Sequence, residues 1–494
     1  MTVLPNAIAA RLEAIPYKWA VATVFIFGLF MDLMDTTIVN VAIPSLSRDF
    51  RASTSLVEWT VTGYLLALAV VIPASGWLAD RFGTKRVFLT AMAVFIAGSA
   101  ACGLAQNIEQ LIAARFFQGL GGGMMTPVGT AMLSREFPGA ERAKASAIIS
   151  VPVVVAPTFG PVLGGWLVED VSWRWIFYVN LPVGVIGFLV GLELLREHRE
   201  AYAQRGIDII GLITGSAGAA LALYAVTRAG SEGFGAGEVV VTGMAGLALL
   251  AIFAFWELRI EFPVLDLRLF KRWFYTITNA MMMPSFAAFS GFILLLTLFM
   301  QELRGYSPLQ AGLIQAPASV GTAISLPLAS RIYPRMGPRK MMLAGYSLSA
   351  ATMLPFHFVG LGTPLWLVII FLVLRGLPFA FAVVAAQTLL FGPIESEKQG
   401  PASAAYNTLR QLAASFGVAL IITIALNRTR VHESATVDPL HAAVMGYQDA
   451  YLAIFALLLV PFALAFLIDD RRAHRELQAR TALSTRAEAA EAAG

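Results

Sequence analysis

Fourteen apolar windows, each 19 to 27 residues long, divide this chain from end to end. They lie near residues 19–43, 57–79, 87–105, 110–133, 144–167, 176–195, 208–228, 238–257, 274–300, 309–330, 341–359, 365–390, 402–426 and 448–468. About 20 helical residues cross the hydrocarbon core of a bilayer, where a backbone must satisfy its own hydrogen bonds. The expected fold class is therefore an all-α membrane protein with fourteen transmembrane helices. Composition agrees. Of 494 residues, 58% are hydrophobic and only 13% charged, with a mean hydropathy of +0.72, too little charge to cover a soluble protein of this size. The net charge of +4 sits in short loops between apolar runs, so it is not a nucleic-acid signature. Cys102 is the single cysteine, which rules out an intrachain disulfide. The first apolar run is too long for a signal peptide and carries two acids.

An even number of spans puts both termini on one side, and loop charge chooses the side. Assigned alternately, the loops hold 25 Lys/Arg on the face with the termini and 7 on the other. Three arginines, Arg115, Arg375 and Arg410, fall inside helices. Both termini are expected to be cytoplasmic by the positive-inside rule.

The chain also repeats itself. Asp49 to Leu56 resembles Glu302 to Leu309, an offset of 253. Arg81 to Arg86 resembles Arg335 to Lys340 at 254, and Gln118-Gly119-Leu120 matches Arg375-Gly376-Leu377 at 257. Ala145-Ser146-Ala147 with Phe159-Gly160 matches Ala402-Ser403-Ala404 with Phe416-Gly417, again at 257. Residues 1–195 and 269–470 thus read as two copies of a six-helix bundle. Residues 196–268 form an insert of two helices, and 471–494 a cytoplasmic tail. Duplicated halves with a site at their interface are the architecture of alternating-access carriers.

Within the first window stand two acids, Asp32 and Asp35, three residues apart and so on one helical face. A carboxylate at membrane depth costs at least ~2.5–3.5 kcal/mol and tends to face a cavity or a partner. Like charges at this spacing repel in low dielectric, which suits the pair to handling a proton. Arg115 lies about 8 Å below the outer end of the fourth helix, Asp35 about 12 Å and Asp32 about 16 Å below the same surface. Arg115 is thus placed to pair with Asp35. One acid is expected to be ion-paired and the other to exchange a proton. The bland alternative is a static buried salt bridge.

Several motifs resemble one family. Gly76-Trp77-Leu78-Ala79-Asp80-Arg81-Phe82-Gly83-Thr84-Lys85-Arg86 is similar to the loop signature of the major facilitator superfamily. Leu33 to Pro44 resembles the first-helix signature of its fourteen-helix drug:proton antiporters, and Arg115-Phe116-Phe117-Gln118-Gly119 the fourth-helix signature. Gly160-Pro161-Val162-Leu163-Gly164-Gly165 resembles the antiporter signature of helix 5, and Trp173 to Phe177 with Asn180-Leu181-Pro182 also follows the subfamily. The resemblance implies two six-helix bundles plus two inserted helices. It also implies Asp35 as the coupling acid, although the depth argument alone would equally allow Asp32.

Each motif has a mechanical reading. Gly76 and Gly83 permit close backbone approach and a tight turn. Asp80 could accept from the amides that open helix 13 near Ala402, where the dipole is positive. The resemblance makes Gly76, Asp80, Arg81, Gly83, Lys85 and Arg86 a latch between the halves; the bland reading is a polar turn with positive-inside charge. The second copy has Pro334 in place of the acid, so a one-sided latch is expected. In helix 5, Pro157, Gly160, Pro161, Gly164 and Gly165 supply bend points and close packing. The resemblance implies that this helix seals the halves against leakage.

Tyr64, Gln118, Phe286, Phe289, Gln315, Arg375, Phe379, Tyr406, Asn407 and Gln411 are the expected substrate-cavity residues. Aromatic rings and methionines such as Met281 to Met283 adapt to varied apolar ligands. Arg375 and Arg410 face no obvious carboxylate in their own half. Backbone carbonyls, an anionic substrate group or carboxylates across the cavity could each receive them. His432 and His441 lack metal-ligand spacing, no glycine loop for phosphate is present, and no nucleophile–base arrangement suggests an enzyme. The expected function is a proton-coupled multidrug exporter of a bacterial cytoplasmic membrane, acting as a monomer on small molecules and protons within the lipid bilayer. No metal or cofactor is expected, the proton gradient being the energy source. An exporter of an endogenous lipid or anionic metabolite, or a non-transporting scaffold or sensor, is the alternative. A periplasmic adaptor partner is left open by the chain.

Overall fold

A computed structural model describes residues 16–137, 156, 159–198, 208–261, 263–394, 396–434, 438–473 and 475. All the regular structure among them is helical. The N-terminal half comprises α1 (Tyr17–Ile38), α2 (Trp59–Phe82), α3 (Thr84–Leu104), α4 (Ile108–Glu136), α5 (residues 159–170) and α6 (Asn180–Leu194). α7 (Ile209–Glu232) and α8 (Gly237–Glu257) follow, then α9 (Trp273–Leu298). The run Pro308–Ala351 is broken at Gly337 into α10 and α11, and α12 (Leu365–Phe391), α13 (Ser396–Glu433) and α14 (Pro439–Ala465) complete the chain. Eleven of the described helices are long and apolar enough to cross a membrane. The more polar α4, the partly described α5 and the short α11 occupy the other three windows.

Local chemistry sets the helix ends. Asn107 Oδ1 accepts from Gln110 N at 2.8 Å to open α4, and Ser307 with Gln310 forms a capping box at α10. Asp208 Oδ1 caps α7 through Gly211 N at 2.8 Å and also receives Trp256 Nε1 at 2.8 Å, which fastens the end of α8 to the start of α7. Gly83 and Gly337 both have positive φ, 96° and 75°, and each turns the chain between the second and third helix of its half. That is the conformation for which glycine is suited.

The inserted pair is not a remote appendage. α7 lies where the halves meet: Leu66 of α2, Leu223 of α7 and Ala419 of α13 share one buried cluster. Thr423 Oγ1 and Asn427 Nδ2 of α13 donate to Val226 O and Ala229 O of α7, each at 3.0 Å. α8 packs on α7 and is otherwise largely exposed, as a lipid-facing helix would be.

The two halves close on each other at the face opposite the Arg81–Arg86 loop. Gln301 Nε2 donates to Val41 O at 3.0 Å, and Leu309 N to Glu169 Oε2 at 3.2 Å. Here α5 crosses α10 so tightly that a Cβ on Gly165 would stand 2.5 Å from Leu309 Cα, and one on Gly312 2.2 Å from Pro161 O. Both obstacles are backbone. Gly312→Val is therefore expected to cost about 1–3 kcal/mol of overpacking and to hold this seam apart. Faster labelling of a cysteine introduced at Leu309 by an impermeant maleimide would register it; unchanged labelling would mean the seam tolerates the bulk.

Candidate functional site

The polar centre of the N-terminal half is built from five helices. Asp35 of α1 is fully buried and receives three N–H donors: Arg115 Nη1, Gln118 Nε2 at 2.9 Å and Asn180 Nδ2 at 3.0 Å. Arg115 also donates to Gln118 Oε1 at 2.8 Å and, through Nε, to Thr60 O at 2.8 Å. Its guanidinium lies 4.0 Å from the Tyr64 ring centroid. Ser99 Oγ completes the cluster, accepting from Gln118 and Asn180 at 2.9 and 3.0 Å. An ion pair so deep persists only where further hydrogen bonds satisfy both partners, and here they do.

One turn away, Asp32 has different company. Tyr64 Oη donates to its Oδ1 at 2.8 Å and Thr126 Oγ1 to its Oδ2 at 3.1 Å. Gly122 makes room for this contact, since a Cβ there would sit 2.7 Å from Tyr64 Oη. From the opposite half, Arg410 acts electrostatically on Asp32. Arg410 Nε has no hydrogen-bond partner, and its guanidinium lies 5.6 Å from the Phe286 centroid. Phe286 packs edge-on against Phe379 and Tyr406, and Phe289 stacks on Phe379 at 5.0 Å. Half-buried Asn407 and Gln411 lie on the same helix as Tyr406 and Arg410. An acid, an unsatisfied cation and an aromatic wall thus face one another across the junction of the halves.

At the start of α3, Lys85 N and Arg86 both reach Glu197 just beyond α6, at 3.2 and 3.6 Å, and Lys85 Nζ donates to Leu192 O at 2.7 Å. The second copy repeats the device: Arg339 N donates to Asp470 Oδ1 at 2.9 Å, just beyond α14. Each half therefore ties its turn to its own last helix.

The profile of the Major Facilitator Superfamily matches residues 25–418. The chain belongs to the major facilitator superfamily. It is a multi-pass membrane transporter, not an enzyme, and it is 30% identical over 429 residues to an uncharacterised transporter of this superfamily from Bacillus subtilis, covering 87% of this chain and 80% of that one. A multidrug resistance protein B homologue of Mycobacterium tuberculosis is 39% identical over 339 residues, 68% of this chain and 63% of the relative. Among solved structures, a bacterial homologue of the human lysosomal transporter Spinster has the same superfamily fold, with a TM-score of 0.63, 17% identity and 94% and 98% of the two chains covered.

On this superfamily scaffold, several expected cavity residues are relocated. Tyr64 and Gln118 are fully buried inside the Asp32–Asp35–Arg115 network and do not line the cavity. Gln315 is turned inward, donating to Thr297 Oγ1 at 2.9 Å within its own half. Gly76 has nothing within 4 Å of its Cβ position, so no close approach requires it here. The contacts of Gly83, Lys85 and Arg86 run to α6 rather than across the halves, while Arg81 is exposed. The Asp80 side chain and Pro157 lie outside the described residues. Gly160 and Gly164 of α5 press on α1, their Cβ positions 2.2 Å from Thr37 Oγ1 and 2.6 Å from Ile38 Cγ1. Asn180, Ser99 and Thr126 had not been singled out as site residues. Their signal was there to read, polar groups in apolar helices at the depth of the acids. Glu58, buried near the face where the halves close, is a further group of this kind.

Proposed function

We propose that the chain is a proton-coupled exporter of amphipathic, cationic compounds, working by alternating access of its two halves, with Asp32 as the group that exchanges the proton. The observation that carries this reading is the contrast between the partners of the two acids. Asp35 is met by the Arg115 guanidinium, which can only donate, and by two amides; a proton placed on it would strand the buried cation of Arg115. Asp32 is met by two hydroxyls, each able to donate to a carboxylate or turn and accept from a carboxylic acid. It can change charge without leaving a buried group unsatisfied. Asp35 with Arg115 then acts as the fixed ion pair that holds α1 against α4.

A cationic cargo beside Asp32 can take the place of its proton, so the two compete for one charge. The loop asymmetry favours cytoplasmic termini and a bacterial inner membrane. The relative named as a multidrug resistance protein supports a broad range of cargo, and the aromatic wall of Phe286, Phe289, Phe379 and Tyr406 suits it. The carrier is proposed to act as a monomer on the proton gradient alone, without metal or cofactor. The unsatisfied Arg410 favours a second reading, export of an anionic metabolite or lipid.

Proteoliposomes with an imposed pH gradient separate these. Uphill movement of several unrelated cationic dyes, abolished by a protonophore, is expected. Movement indifferent to the gradient would end the antiport reading. Movement of anionic cargo alone, lost in Arg410→Gln, would favour the second.

A further inference from the structure

The C-terminal half contains a charge that the proposed transport cycle does not use. Arg375 stands in the middle of α12, its guanidinium 3.9 Å from the Phe292 centroid and 5.3 Å from that of Phe289. Among the described residues it makes no ion pair or hydrogen bond. Ring faces soften the cost of such a cation but do not neutralise it.

The internal repeat explains where the counter-charge went. In the N-terminal half, Arg115 and Gln118 of α4 close on Asp35 of α1. An offset of 257 lays Arg375 on Gln118, and the offset of 253 lays Ala288 on Asp35. The second half thus carries a cation where the network has its glutamine, and a methyl group where it has its carboxylate.

The space is still there. A cavity of about 20 Å³ is lined by Arg375 and Ala288 together with Ser349, Ser285 and Phe289. Ser349 is 7% exposed, and its Oγ has no hydrogen-bond partner. A cation and an unsatisfied hydroxyl line a volume that admits one small particle. A water molecule would fill it without balancing the charge.

We propose that this cavity is a halide site, in which a chloride ion bound by Arg375 and Ser349 Oγ–H supplies the negative charge that Asp35 supplies in the other half. The site is structural and stands independently of proton coupling. It accounts for an arginine held at membrane depth without an acidic partner.

Thermal unfolding of the purified full-length chain in sodium chloride against sodium gluconate, at matched ionic strength, tests the site. Wild type is expected to gain in Tm with the logarithm of chloride concentration, and bromide to substitute. Ala288→Asp should raise Tm in gluconate and erase the chloride dependence, because the carboxylate is then covalently in place. Ser349→Ala should shift the chloride response to higher concentrations. Equal Tm in the two salts would overturn the proposal, as would an undiminished chloride response in Ala288→Asp. Bromide anomalous density beside Arg375 would support it directly, and a bromide-soaked structure with none there would refute it.

Discussion

Asp35→Asn should cost the fold about 3–5 kcal/mol, the scale on which removing one partner of a buried ion pair destabilises a protein. The amide is nearly isosteric, so the loss is electrostatic rather than steric. Arg115 would be left with no negative charge within reach. With its NH2 turned toward Arg115, the new amide would meet the guanidinium donor; turned the other way, it would require the Gln118 and Asn180 amides to rearrange. The expected readout is a large fall in Tm of the purified protein and poor recovery from membranes. Asp35→Asn combined with Arg115→Gln should recover part of the loss, because no charge is then stranded. An Asp35→Asn protein as stable as wild type would show that the pair contributes nothing to the fold.

Asp32→Asn should do the opposite, leaving stability close to wild type while abolishing uphill transport. Its partners are hydroxyls, which adjust to an amide as readily as to an acid. Gradient-driven dye accumulation in proteoliposomes should drop to the level of protein-free vesicles. Exchange of labelled for unlabelled dye, which needs no proton, should persist. In wild type the apparent affinity for a cationic dye should weaken as pH falls, since protons then occupy the shared charge; in Asp32→Asn it should be flat. Retained pH dependence in that variant would move the coupling role to another acid.

Much of this was legible in the chain, because the bilayer imposes a strong constraint. The apolar windows, the tight turn at Gly83 and the close packing of helix 5 all follow from residue types whose reasons are local. The Asp35–Arg115 pair was readable too, because helix rise converts sequence position into depth. What failed was the direction in which a polar side chain points. Tyr64 and Gln118 were expected in an open cavity, yet a glutamine on an inner helix face serves equally well to satisfy a buried ion pair. The partners Asn180 and Ser99 come from helices 145 and 64 residues away from Asp35, separations over which no periodicity speaks. The carboxylates Glu197 and Asp470, which tie each turn to the last helix of its half, were hidden for the same reason.

If cargo and proton exchange at Asp32, binding must release a proton, and that release is measurable without a membrane. A lightly buffered solution of the purified carrier, with a pH-indicator dye, is mixed with a cationic substrate. Wild type should release protons in proportion to occupied sites, and Asp32→Asn should bind the same substrate and release none. Equal proton release from the two proteins, or silent binding by wild type, would contradict the account.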